Sequence, residues 1–372
     1  MTQLGKFDDF FNNYHFGRIL PNPNESYMMS PFLIAFFKIV PTKFKFIQFL
    51  IFIFSSLYIY YNSLKKYKIK KIYIILFFLS YPILFSISRG NIDLLASSFL
   101  IIFIFNFLKS DLDKSLKFLL ISILLKPTNL LFIFLFKFNF LIKNFKLLFI
   151  FSIVNLLCIL IISFDVIEYI TNYFKMLSNY KDAYVIGGGG SLFNNSSWGF
   201  YKWYSLNISF SGNNFFDALS APQVLPYGVY TEAIDAIKYY LNYFNKISLI
   251  FIATSIVLNY LTKNNYLKII IITLTTILFS PISADYRLIN ILIIFLILIN
   301  DFEMISISKI YKYFMILVLS IVIIPKHFIS FWIQSPYEFV PMTINSLINP
   351  LMLLIALIIS YLFVFKEKIT KV

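Results

Sequence analysis

Long apolar runs alternate along the chain with short polar connections in which lysine is frequent. A bilayer core about 30 Å thick takes roughly 20 helical residues per crossing, and apolar runs of that kind read as transmembrane helices. The pattern predicts nine crossings, at 44–62, 72–88, 94–108, 147–163, 247–262, 268–281, 288–300, 313–324 and 347–365, several of them short for a full span. A tenth apolar stretch, 118–141, is interrupted at its centre by Lys126-Pro127-Thr128. Proline in a helix interior costs about 3 kcal/mol, and a lysine at mid-membrane at least a few more unless it lines a polar cavity. A re-entrant hairpin with these residues at its tip relieves both. It also keeps Lys143 and Lys146 on the same side as Lys109, whereas a single span would invert everything downstream.

The fold class expected is an all-α polytopic membrane protein, a helical bundle of about nine crossings plus the re-entrant hairpin. Its parts are an outer N-terminal segment 1–43, a first transmembrane part 44–163, a long outer loop 164–246 and a second transmembrane part 247–372. Composition agrees: of 372 residues, 59% are hydrophobic and 13% charged, too much apolar surface for one water-soluble core. The net charge of +15 does not imply a nucleic-acid partner, because the lysines gather in short loops as the positive-inside rule requires. Lys65, Lys66, Lys68, Lys70 and Lys71 fill one such loop, Lys109, Lys114 and Lys117 another, and Lys366, Lys368 and Lys371 the C-terminus, so all are placed in the cytoplasm. The outer face then holds 1–43, the loop 164–246 and the turns at Arg89, Asp285 and His327. In that long loop Lys175, Lys181, Lys202, Lys238 and Lys246 are outnumbered by Asp165, Glu168, Asp182, Asp217, Glu232 and Asp235. Its Gly187 to Gly190 run and its Trp198 and Trp203 suggest a covering flap. The lone Cys158 has no intrachain disulfide partner. Residues 1–30 hold no apolar segment, so either the short tail crosses unaided or a first helix is missing; the second is the expectation. The membrane is read as a bacterial plasma membrane.

Charged groups at the outer ends of crossings are the chemical signal, since burying them is expensive. Asp8, Asp9, Tyr14, His15 and Arg18 put a carboxylate near an aromatic ring and a histidine, which suits a general base acting on a hydroxyl and equally a solvated tail. In Ser88-Arg89-Gly90-Asn91-Ile92-Asp93, Arg89 either binds a phosphate bidentately or bridges to Asp93 one turn away. Lys126 at the hairpin tip reads as a ligand for an anion ahead of a purely structural role. Near Asp285, Arg287 either binds phosphate or snorkels to the interface. His15 and His327 lack metal-ligand spacing, so no zinc site and no cofactor is expected. The glycine run lacks the Lys-Ser/Thr of a P-loop, which disfavours a cytosolic nucleotide donor. Basic groups around an outward membrane cavity suit a lipid-linked phosphate donor instead.

The order of these landmarks resembles the polyprenyl-phosphate-sugar-dependent membrane glycosyltransferases of family 87, which have the GT-C fold. The resemblance spans most of the chain. It is carried by Asp9-Phe10 with Tyr14, Tyr27-Met28-Met29-Ser30-Pro31-Phe32, Arg89-Gly90-Asn91-Ile92-Asp93, Leu125-Lys126-Pro127-Thr128, Asn194-Asn195-Ser196-Ser197-Trp198-Gly199 and Ser280-Pro281-Ile282-Ser283. It departs from the family in having no counterpart of the first transmembrane helix. After the serine-proline turn, Ala284-Asp285-Tyr286-Arg287 stands where the family often has tryptophan, an acid, histidine and tyrosine. The resemblance implies transfer of mannose, another hexose or a pentose from a polyprenyl-phosphate donor to a glycolipid or glycan acceptor on the non-cytoplasmic face, with inversion. It implies Asp9, with Asp8 as substitute, as the base. Arg89, Lys126 and Arg287 would hold the donor phosphate, and Tyr14, His15, Asn91, Asn195, Ser196, Trp198 and Asp285 the sugar or acceptor. A transporter, flippase or polymerase of lipid-linked saccharides needs the same basic groups; an inverted repeat would favour transport, and none is evident in the sequence.

Overall fold

The computed structural model describes residues 15, 29–181, 185, 194–201, 230–280, 283, 285–305, 307–326, 330–334 and 339–369. Asp8, Asp9, Tyr14, Gly187 to Gly190, Trp203 and His327 lie outside the described residues. The chain divides into two compact units. The first takes Met1–Tyr180, Asn264–Ile269 and Ile289–Ser306, and the second takes Lys181–Lys263, Ile270–Leu288 and Ile307–Val372.

The first unit begins with α1 (Pro31–Ile39), started by Ser30, whose side chain accepts from the Leu33 N–H at 3.3 Å, and by proline in the first turn. Next come α2 (Lys45–Lys66), α3 (Lys71–Phe78), α4 (Tyr81–Arg89), α5 (Asp93–Leu108) and α6 (Leu112–Leu125). A 3-10 segment (Pro127–Leu135), α7 (Phe138–Lys143), α8 (Phe145–Ile162) and α9 (Val166–Tyr180) follow. Serines let α5 and α6 approach closely: Ser115 Oγ donates to Phe103 O at 3.1 Å and Ser122 Oγ to Ala96 O at 2.8 Å. Phe132 of the 3-10 segment meets Phe103 edge-on at 5.7 Å, and Asn129 Nδ2 donates to Ser122 Oγ at 2.8 Å, so this arm folds back on α5 and α6. The returning chain brings Asn144 Nδ2 to 3.4 Å from Asp113 Oδ1. The stretch from 113 to 144 therefore leaves and returns to one end of the unit.

That end is tied together by Asp301, which is 1% exposed. Its carboxylate accepts from the hydroxyls of Tyr67 at 2.6 Å and Tyr266 at 3.1 Å, and from Asn300 Nδ2 at 2.8 Å. Tyr67 stacks on Phe105 at 4.0 Å, with the Lys109 ammonium 5.2 Å above its ring. Burial and the neighbouring carboxylate push the Tyr67 phenol far above its ordinary value. Asp301→Ala strands two hydroxyls, and the expected loss is about 1–3 kcal/mol, read as a lowered melting temperature of the detergent-solubilised chain.

In the second unit α10 (Tyr230–Leu261), the later part of α11 (Asn265–Leu278), α13 (Lys309–Ile323) and α14 (Asn345–Ile369) are the main helices. Ser255 Oγ lies 2.6 Å from both Thr275 Oγ1 and the Tyr361 hydroxyl, linking α10, α11 and α14, and the Tyr311 hydroxyl meets Ser360 Oγ at 2.8 Å. The remaining helix, α12 (Leu288–Asn300), lies almost wholly in the first unit.

All nine predicted crossings coincide with helical segments, but helix length separates them. Lys45–Lys66, Phe145–Ile162, Lys238–Leu261 and Asn345–Lys366 are long and apolar enough to span a bilayer, and α3 with α4, bent by 42°, would make a fifth if counted as one. A 13-residue helix such as α12 is only about 20 Å long. Nearly every side chain of α12 is buried, which makes it a core helix by length and packing. On α8 the reverse holds: Cys158 is its one buried residue, while Phe149, Ile150, Leu157 and Ile161 are exposed. Helices clad in apolar side chains are compatible with a multi-pass membrane protein. To this all-helical architecture the chain adds one short ribbon. β1 (Ser330–Gln334) and β2 (Phe339–Thr343) pair antiparallel, Ser330 opposite Thr343 and Gln334 opposite Phe339, where the sequence reading had only a turn. Their aromatic and β-branched residues favour extended backbone.

Candidate functional site

The described candidates fall into two groups, each within one unit. The first is built where α4 stops and α5 starts. Gly90 closes α4 in the left-handed conformation, φ 63°, with its N–H on Ile87 O and the Asn91 N–H on Ser86 O, both at 3.1 Å. Any side chain is disfavoured at that φ, which explains glycine there. Asn91 Oδ1 then accepts from the Asp93 N–H at 2.9 Å and opens α5. Asp93 thus sits in the first turn, where the helix dipole favours a carboxylate.

Lys126 reaches the same point from α6. A proline disfavours helical backbone in the residue before it, so Pro127 ends α6 at Leu125 and leaves Lys126 extended, φ −138° and ψ 96°. Lys126 Nζ lies 2.8 Å from Asp93 Oδ2, with side-chain exposures of 21% and 6%. Ser97, one turn along α5, donates to Asn290 Oδ1 at 2.9 Å. To the roles read from the sequence for Arg89, Asp93 and Lys126 the geometry adds an ion pair, buried on the Asp93 side and partly open on the Lys126 side. Such a pair either holds a cation ready for an anionic ligand or bolts the hairpin to α5. His15, the described member of the N-terminal cluster, is exposed.

The second group joins residues about 90 positions apart. Asn194 Oδ1 accepts from the Ser283 N–H at 2.8 Å and the Ser196 N–H at 3.0 Å. Asn195 donates from its backbone to Ser283 O at 2.6 Å and from Nδ2 to Asp285 Oδ1 at 2.6 Å, and its Oδ1 accepts from Asn349 Nδ2 at 2.7 Å. Asn195, Ser196, Ser283, Asp285 and Asn349 are fully buried. Asn195 is therefore a clamp that positions Asp285. A Cβ on Gly199 would come within 3.1 Å of the Asn194 amide, so glycine keeps that clamp uncrowded. Trp198 Nε1 donates to Val185 O at 2.9 Å, and its ring packs on Phe244 at 5.2 Å. Arg287 Nη1 donates to Ser280 Oγ at 2.7 Å.

No family model matches the chain, and neither does any curated protein or solved structure.

Three members were missed. The sequence alone assigns no role to Asn194, to Asn349 or to Lys326. An asparagine inside the apolar run 347–365 was the available signal for Asn349. Lys326 caps the end of α13, donating to Ile324 O at 2.7 Å. Burial pushes its ammonium down to about 8 from 10.5, with Asp285 opposing the shift. Between those two values the unfolded chain holds a proton that the folded one has released, so stability rises as pH climbs from about 8 to 10.5. Melting curves across that range should be flatter in Lys326→Met. Asn195→Ala removes a hydrogen-bond partner from Asp285 and from Asn349 together, and a fall in stability of about 2–4 kcal/mol is expected in the same assay.

Proposed function

We propose that the chain is a multi-pass membrane glycosyltransferase that moves a sugar from a polyprenyl-phosphate donor to a hydroxyl of a lipid or glycan acceptor on the non-cytoplasmic face. The observation that carries this reading is the Lys126–Asp93 pair, with Arg89 four residues before Asp93 in the last turn of α4. It lies at the first turn of α5, while the last turn of α5 reaches the lysine-bearing loops through Phe105 and Lys109. Two cationic side chains at the end away from the cytoplasmic lysines suit an anion that arrives from the bilayer. The return of the chain from 113 to 144 to one end supports the topology on which that assignment depends.

In the reaction, Asp9 takes the proton of the acceptor hydroxyl, and the oxygen attacks the anomeric carbon. The bond from that carbon to the phosphate oxygen breaks, its electron pair leaves with polyprenyl phosphate, and the configuration inverts. General-base help of this kind is worth about 10² to 10⁴ in rate. Arg89 and Lys126 stabilise the charge that builds on the departing phosphate, usually the larger electrostatic contribution. Asp8 is the substitute base.

Proteoliposomes separate this reading from movement of lipid-linked saccharide. With a synthetic polyprenyl-phosphate sugar and a hydroxyl acceptor, the expected product is a new glycosidic bond together with free polyprenyl phosphate. Donor that changes leaflet intact, with no bond made, would establish transport in its place.

A further inference from the structure

The end of the first unit away from Asp93 carries lysines that the transfer chemistry leaves unused. Lys65, Lys66, Lys68, Lys70 and Lys71 are all exposed, while Tyr67 is half-buried and Ile69 buried between them. The loop is held tightly. The N–H of Tyr67 donates to Ser63 O at 2.9 Å, and those of Lys68 and Ile69 donate to Lys65 O and Leu64 O at 3.0 Å. Lys68 adopts φ 64°, a left-handed conformation that a residue with a side chain rarely takes unless its surroundings hold it. Its surroundings hold it there: Ile69 is buried, and Tyr67 is fixed on one side by Asp301 and on the other by Phe105. Lys109 of the next loop stands over the Tyr67 ring, so both loops feed one patch.

Beside the patch the walls of α2 and α3 are apolar and open, with Tyr58, Tyr61, Ile72, Ile75 and Leu76 exposed. Lys65 and Lys70 lean over the rings of Tyr61 and Tyr73, at 6.0 and 5.8 Å, at the boundary between charge and wall. A soluble polyanion would meet the lysines and leave the wall bare. A phospholipid with an anionic headgroup satisfies both, its phosphate on the ammonium groups and its acyl chains along α2 and α3. We infer that this rigid lysine rim is a binding surface for anionic phospholipid headgroups. The inference rests on the helices lying in lipid and not on sugar transfer. Each lysine near such a surface is worth about fivefold in affinity.

Thermal unfolding of the full chain in neutral detergent tests it, with short-chain phosphatidylglycerol, short-chain phosphatidylcholine and inorganic phosphate as probes. Phosphatidylglycerol should raise the melting temperature by about 2 °C or more, the shift should vanish in about 1 M salt, and the other two should do nothing comparable. Replacing the five loop lysines with glutamine should abolish the shift, and replacing them with arginine should keep it. Because losing five lysines can disturb insertion, Tyr67→Phe serves as a second variant: it keeps every charge, frees the loop from Asp301, and should weaken the response several-fold. Equal shifts with the two lipids, a shift reproduced by inorganic phosphate, or an undiminished response in either the glutamine variant or Tyr67→Phe would overturn the inference. None of these outcomes depends on transfer activity, so its failure and that of the transferase reading are told apart.

Discussion

Lys126→Ala is expected to lower kcat/KM by about 10²- to 10³-fold, the scale on which removing one preorganised electrostatic contact to a developing charge is felt. The substitution also leaves the buried Asp93 carboxylate without its ion-pair partner, and because the lysine side is partly open to solvent the expected cost lies below the about 3–5 kcal/mol of a fully buried pair. Activity lost through misfolding must therefore be separated from activity lost through the missing cation. The double variant Asp93→Asn, Lys126→Met does this, because it removes both charges at similar volume and should recover most of the stability. If the lysine serves an anionic donor, the double variant stays inactive while melting near wild type. If the pair is only a bolt between the hairpin and α5, the double variant regains activity. Lys126→Arg should retain partial activity, with a raised KM for the donor, because a guanidinium keeps the charge in a different shape. Asp93→Asn alone keeps the cation and removes its competitor, so donor binding should tighten while the melting temperature falls.

Asp9→Asn should reduce kcat by about 10² to 10⁴ with little change in donor KM, since a base acts in the chemical step and not in holding the phosphate. Asp8→Asn should fall well short of that loss. The measurement is the initial rate of glycoside formation at saturating donor, with donor binding followed separately. Should Asp9→Asn and the Asp8→Asn, Asp9→Asn double variant both run at full rate, neither carboxylate is the base.

Much of the fold was legible because an apolar run is visible residue by residue. Each predicted crossing is helical, 72–88 as the two helices α3 and α4, and the Lys126-Pro127 break lies where proline and a mid-run lysine demanded one. What sequence could not say was which apolar helices face outward. α8 and α12 read alike as strings of Ile, Leu and Phe, yet α8 is open along its length and α12 is enclosed. That difference lies in tertiary neighbours, not in hydropathy, so the crossing count did not follow from the pattern. The ribbon at Ser330–Thr343 was hidden because two strands of five residues fall within a segment short enough to be taken for a turn.

The candidate site shows the same division. Lys126, Arg89, Asp285 and Arg287 stood out one by one as charges in expensive places. Their partners did not, because Lys126 meets a carboxylate 33 positions away and Asn195 one 90 away, and pairings at that range come from packing. Asn195 looked like a surface contact for a sugar and is a fully buried clamp, since an asparagine beside a tryptophan reads the same in either role.

The most direct test of the transferase reading is donor turnover by the purified chain in detergent. Synthetic polyprenyl-phosphate mannose and its hexose and pentose analogues are supplied with a hydroxyl acceptor, and both products are followed by mass spectrometry. The expected result is one equivalent of polyprenyl phosphate released per glycosidic bond formed, with the opposite anomeric configuration, and none from the Asp93→Asn, Lys126→Met variant. Donor recovered unchanged with every sugar offered, while the chain melts cooperatively, would contradict it.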